Sequence, residues 1–350
     1  VAAAESGEDA MNRWALIFLL LVLALATISV APFCGMERIP LHALWGNAEQ
    51  YAQLGEDYAQ VDILWKLRIP RVLMAFMAGA SLAVSGMVFQ AVFRNPLADP
   101  FTLGVSSGAS LGASLYIQQG CTFALIGISG VSLSAFVGAV ASIALVYLLT
   151  AASRQGSSTA TMLLAGVAVS FLFSSVILFL QYICNFTQTY RMLRWTLGGL
   201  ETVVSFRDVW NLLPFMISGC LIAWYLTLEL NLLCTGDEFA FSRGVHVQQT
   251  KLLLFFAVSL MVGAVVAVCG PIGFVGLMAP HICRLVVGPD HRYLLPAAWL
   301  FGGAFLVVCD TVSRMALAPT ELPVGIVTAL LGGPFFLWLL LGRRREIGNL

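Results

Sequence analysis

Arg68 and Arg71 flank Ile69-Pro70 three residues apart, so on a helix their guanidinium groups share one face and can jointly receive a carboxylate. Beside an apolar run the same side chains can also serve as interfacial anchors, with stems on apolar surface and heads in water. Asp310 and Arg314 stand four apart in acid-first order, the arrangement that favours an intrahelical ion pair. His281 and Arg284 follow Ala279-Pro280 without an accompanying cluster of Asp, Glu or Cys, so they read as structural and not as a metal or catalytic pair. The four histidines, His42, His246, His281 and His291, show no H-E-x-x-H spacing, which leaves a membrane metalloenzyme without ligands. No metal site and no catalytic residue is expected. Lys66 and Lys251 are the only lysines and neither sits in a G-x-x-x-x-G-K-[ST] loop, so nucleotide energy has to come from another chain.

Between two apolar runs lies Arg94-Asn95-Pro96-Leu97-Ala98-Asp99-Pro100. Two prolines and an Asx residue force an irregular, hydrogen-bonding turn. Such backbone is tolerated near a membrane only against protein or water, so this turn can also line the inner end of a pathway. Eight cysteines are scattered without C-x-x-C spacing and fall mostly in apolar runs, where a thiol packs as a small hydrophobe. Cys34, Cys121 and Cys184 fall near outer ends of apolar runs, where an oxidising side would permit one disulfide.

These residues are carried by an overwhelmingly apolar chain. Of 350 residues 59% are hydrophobic and 10% charged, with 18 basic and 18 acidic side chains and no formal net charge. That composition makes an all-α, polytopic membrane protein and excludes a basic nucleic-acid groove. Ten spans are proposed: Trp14 to Ala31, Val72 to Val92, a third ending near Gln118, Phe123 to Ala151, Thr161 to Cys184, Val209 to Leu230, Lys251 to Cys269, Ile272 to Val287, Tyr293 to Met315 and Val324 to Leu341. The third and fourth are rich in Gly, Ala and Ser, which permits close helix approach.

Asn185 to Asp208 reads as an interfacial helix and turn, and Cys234 to Thr250 as a polar cytoplasmic elbow too charged to span. Val1 to Ala10 reads as an expression scar or a disordered N-terminus, and residues 11–350 as one transmembrane domain. Arg343-Arg344-Arg345 and an acidic loop with Glu37, Glu49, Glu56 and Asp57 place both termini in the cytoplasm and that loop outside. An ion-coupled transporter would use Asp310 or Glu229 as its intramembrane acid. A haem or redox protein of the membrane would need paired histidines on facing helices.

Several stretches together resemble the permease family of ABC importers for cobalamin, haem and ferric siderophores. They are Arg68-Ile69-Pro70-Arg71, Phe93 to Pro100 with Leu103 to Ala109, Gly273 to His281, Gly288 to Arg292, and Glu321-Leu322-Pro323-Val324-Gly325 through Pro334. The resemblance implies a homodimer in the bacterial inner membrane, two ATPase subunits beneath it and a periplasmic binding protein above. It implies no cofactor in this chain, with ATP and magnesium on the partner ATPase, and transport by alternating access. By the same resemblance Arg68, Arg71 and Arg314 receive acidic residues of the binding protein. Gly236, Asp237, Glu238, Phe239, Arg243 and Gly244, within a segment at about 234–250, form the coupling helix that seats in the ATPase. Asn95, Leu97, Ser158, Thr159 and Ala160 constrict the inner end of the pathway. Haem is the first expectation among chelates, from likeness of the C-terminal third to haem permeases.

Overall fold

The computed structural model describes residues 7–35, 39, 58–121, 123–125, 128–152, 159–201 and 205–347. The long apolar runs are helical because a backbone in hydrocarbon has no water to bond and must satisfy its amides within its own segment. Helix α1 (Gly7–Val30) ends in a 3-10 turn, Ala31–Phe33. The chain resumes in α2 (Tyr58–Asp62), widens into a π-helical stretch, Ile63–Arg68, and runs on as α3 (Ile69–Phe93). After the turn at 94–104 come α4 (Val105–Gln119), the strands β1 (Ala124–Leu125) and β2 (Ile128–Ser129), α5 (Gly130–Ala152) and α6 (Thr159–Ile183). The segment expected at the interface forms α7 (Phe186–Thr196), held by an Asn185/Gln188 capping box. Helix α8 (Phe206–Tyr225) bends by 60° into α9 (Thr227–Thr235), and the polar elbow holds α10 (Asp237–Ser242). The remaining helices are α11 (Val247–Cys269), α12 (Val275–Val287), α13 (His291–Met315) and α14 (Val324–Ile347).

Helices lie on all ten proposed segments. Among the described residues six are long and apolar enough to cross a bilayer, and the bent pair α8 and α9 makes a seventh if taken as one span. Helix α12 is shorter, because Gly270-Pro271 and a left-handed Phe274 (φ 68°) hold the chain out of helix before it. The fourth span starts at Gly130 and not at Phe123. The residues before it form a two-stranded antiparallel hairpin with Ala124 opposite Ser129.

Helix α3 is the core: 94% of the apolar window in Gln60–Phe93 is buried, against 28% in Ala160–Ile183 and 22% in Met11–Phe33. It packs along α13 and α12, while α4 packs along α5. Small residues set these distances, as expected for close approach in a membrane. A Cβ on Gly79 would strike the Gly302 carbonyl of α13, and one on Gly86 the Gly276 carbonyl of α12. All eight cysteines are free thiols, Cys34, Cys121 and Cys184 included.

Candidate functional site

The residues singled out by type and spacing gather at the two ends of α3, named outer and inner after the topology expected from the sequence. At the outer end Arg71 leaves the first turn of the helix and donates from Nε and Nη2 to Oδ1 of Asp310, at 3.1 and 2.9 Å. Its Nη1 donates to Oε2 of Glu321 at 2.7 Å. Arg314, one turn along α13, closes on Oδ2 of the same aspartate at 3.2 Å. The i, i+4 pair expected from spacing is therefore present, and Asp310, 1% exposed, is shared between two guanidinium groups. A carboxylate this deeply buried requires such compensation.

Among the described residues Arg68 and Arg71 do not converge on one carboxylate. Arg68 donates to the Pro32 carbonyl at 2.9 Å, while Arg314 reaches the Ala31 and Cys34 carbonyls at 3.3 and 3.2 Å. Two of the three expected docking arginines thus fasten the turn that ends α1, whose last carbonyls need donors. Glu321 meets Arg71 across 250 residues, so no local spacing marks it as a site residue. It is 39% exposed, the most open member of the cluster. Beside it, the outer ends of three helices are tied by backbone bonds: Gly325 N–H donates to the Gly198 carbonyl at 3.1 Å, and Gly199 N–H to Cys269 at 2.8 Å.

At the inner end Arg94 stops α3 in the left-handed region (φ 48°) and reaches Asp237, the first residue of α10, at 3.1 Å. Lys251 of α11 approaches the other oxygen of Asp237 at 2.7 Å. Gly236, at φ 134°, makes the sharp turn from α9 into α10 that a side chain would strain. Ala240 and Val245 are buried and fix α10 to the body, while Glu238, Phe239, Phe241, Arg243 and Gly244 are exposed. Arg243 lies over the Phe239 ring at 5.3 Å. The result is a short polar helix with a free outer face, joined by one aspartate to two other elements.

Asn95 holds the turn by accepting from Leu97 N–H at 2.9 Å, leaving the Leu97 side chain 58% exposed. Asp99 caps Pro100–Leu103 by accepting from Phe101 N–H at 3.5 Å. Burial pushes its carboxyl up to about 7, offset in part by that bond. Ala160 is exposed near the start of α6, and the backbone of Thr159 opens that helix. Ser158 lies outside the described residues. A cavity of about 670 Å³ opens beside the inner cluster, lined by Val92, Tyr147, Met162, Asp237, Phe241 and Lys251 among others.

The remaining candidates are structural. Arg284 donates to the Gln90 amide oxygen of α3 at 2.9 Å, and His281 packs edge-on to Phe335. His291 and Asp290 meet Asn231, tying α13 to α9. Among the described residues no group of three His, Cys, Asp or Glu could hold a metal ion.

The family model described as the FecCD transport family matches residues 11–342. The chain is 38% identical over 341 residues to the hemin transport system permease protein HmuU of Yersinia pestis, covering 95% of both chains. It is 46% identical over 290 residues to the cobalamin import system permease protein BtuC of Halobacterium salinarum, covering 83% of this chain and 75% of that one. A solved structure, described as an inward-facing conformation of a metal-chelate type ABC transporter, superposes with a TM-score of 0.81 at 31% identity. The match covers 94% of this chain and 99% of that one.

Proposed function

The chain belongs to the FecCD transport family, multi-pass membrane permeases of ABC importers whose ATP hydrolysis resides in a separate subunit, and from that membership we infer that it imports a metal chelate by alternating access. The observation that carries the reading is the inner cluster. Asp237 links the exposed coupling helix α10 to the turn after α3 through Arg94 and to α11 through Lys251. A push on α10 from an ATPase is thereby delivered to the core helix and to the walls of the 670 Å³ cavity. Two copies of the chain enclose one path in the bacterial inner membrane, both termini face the cytoplasm, and residues 11–350 act as one permease domain. Asn95, Leu97, Ser158, Thr159 and Ala160 form its cytoplasmic gate.

A periplasmic binding protein docks at the outer cluster through Arg68, Arg71 and Arg314. The arginines there are already engaged with Asp310, Glu321 and backbone carbonyls. An incoming acidic side chain therefore works by exchange, with exposed Glu321 the contact most easily given up. Haem is the favoured cargo, supported by the similarity to a hemin permease over 95% of the chain; cobalamin and ferric siderophores are the competitors. An ion-coupled mechanism would use Asp310 or Glu229 as carrier; Asp310 is already compensated by two guanidinium groups, and Glu229 sits in the first turn of α9, beside the bend.

Proteoliposomes holding the chain with its cognate ATPase, supplied with binding protein and each chelate in turn, test the reading. ATP-dependent uptake of haem is expected. Uptake driven equally well by a proton or sodium gradient without ATP would overturn it.

A further inference from the structure

On the outer side a cavity of about 790 Å³ lies under α7, between that helix and the ends of α4, α5, α8 and α11. Its volume is in the range of sites that enclose a cofactor-sized molecule. Helix α7 is fastened over it at both ends. Gln188 donates to the Gln118 carbonyl at 2.8 Å, and Arg194 pairs with Glu201 beyond the C-terminus. Thr187, Tyr190, Arg191, Arg194 and Trp195, spaced by three and four, turn one face of α7 to the cavity. Val131 and Val268 supply apolar floor.

The charges in this cavity are committed except for one. Glu201 neutralises Arg194, and the Asp208 carboxylate caps α8 by accepting from Ser205 N–H at 3.3 Å. Arg191 is exposed, and among the described residues no carboxylate lies within ion-pair distance of it. A guanidinium beside two aromatic rings and an apolar floor suits a flat ligand with an apolar face and an acidic edge. The ring can lie against tyrosine and tryptophan, and the planar fork can take a carboxylate through two N–H donors.

We propose that this outer cavity is a reception site for a flat, carboxylate-bearing chelate, with Arg191 as the residue that takes a carboxylate. The inference rests on the importer reading and narrows its cargo to ring chelates with free acid groups. It is tested by binding alone, so that failed uptake and failed binding are separate results. The full-length chain in lipid nanodiscs is titrated with ferric protoporphyrin IX and with its dimethyl ester, following the Soret band against empty nanodiscs. Arg191 is a surface residue, and Arg191→Gln leaves packing intact. The expected result is that this variant binds the free acid at least tenfold more weakly, as for one lost two-donor ion pair. The ester binds wild type and variant alike, and Arg191→Lys recovers part of the loss. Equal affinity of wild type and Arg191→Gln for the free acid would overturn the proposal, and so would an ester that binds wild type as tightly as the acid does.

Discussion

The ionic clusters at the two ends of α3 are made of the same residue types, an aspartate held between two cations, and differ in how they meet water. At the outer end Asp310 is 1% exposed, with Arg71 and Arg314 at 13% and 7%. At the inner end Arg94 and Asp237 are each 41% exposed and Lys251 14%. A buried pair gains little net stability by existing but costs several kcal/mol to break, because the surviving charge is stranded. A half-exposed pair is screened by salt and contributes about 1 kcal/mol or less. The outer cluster is therefore a fixed corner that also fastens the end of α1, whereas the inner one is a joint that can be broken and remade at small cost.

Removing the shared carboxylate is the severest test of that contrast. Asp310→Asn keeps the shape but leaves buried Arg314 without a carboxylate and Arg71 with only the half-exposed Glu321, so a loss of about 3 kcal/mol of stability is expected. Thermal unfolding in detergent would show it, and a melt close to wild type would remove the distinction between corner and joint.

Asp99 sharpens the comparison, being a buried acid at the otherwise open end. Its unfolded form ionises near 3.8, while the folded form keeps its proton to about 7. Between those values the native state binds more protons, so stability falls as pH rises through that window. Asp99→Asn can still accept from Phe101 N–H and cannot ionise. Its stability should be flatter from about pH 4 to 7, by an amount on the order of a few kcal/mol at about 1.4 per unit. Parallel profiles for variant and wild type would assign the pH dependence elsewhere.

Glu321→Gln should be milder, at about 1 kcal/mol or less, since Arg71 keeps Asp310 and the lost group is partly solvated. If docking works by exchange, this variant binds the periplasmic partner more tightly, and weaker binding would show that Glu321 itself belongs to the interface. Smallest of all is the effect of salt on stability. Raising ionic strength should weaken the inner contacts and leave the outer pair unmoved, readable as hydrogen exchange that speeds in α10 and not in the last turns of α13.

Much of this is legible in the sequence, and what is not has physical reasons. The helices follow from long unbroken apolar runs, because a bilayer permits only helices and closed barrels and barrel strands alternate apolar with polar residues. The Asp310–Arg314 pair followed from helical spacing. Arg71 meets Asp310 across 239 residues, and no local pattern encodes that meeting. The hairpin at Ala124–Ser129 is too short for strand alternation to register, and its apolar residues merged with the following span. The bend at Leu226 was hidden because the residues at the break are neither Gly nor Pro, while Pro214 sits within α8 and does not end it.

The ratio of ATP hydrolysed to chelate delivered, measured for Asp237→Asn in the reconstituted complex, tests the inner joint most directly. With Asp310 untouched, fold and assembly should persist while that ratio rises several-fold, because α10 can then move without carrying α3 and α11. An unchanged ratio in a fully assembled complex would contradict the assignment of Asp237 as the link between ATPase and core.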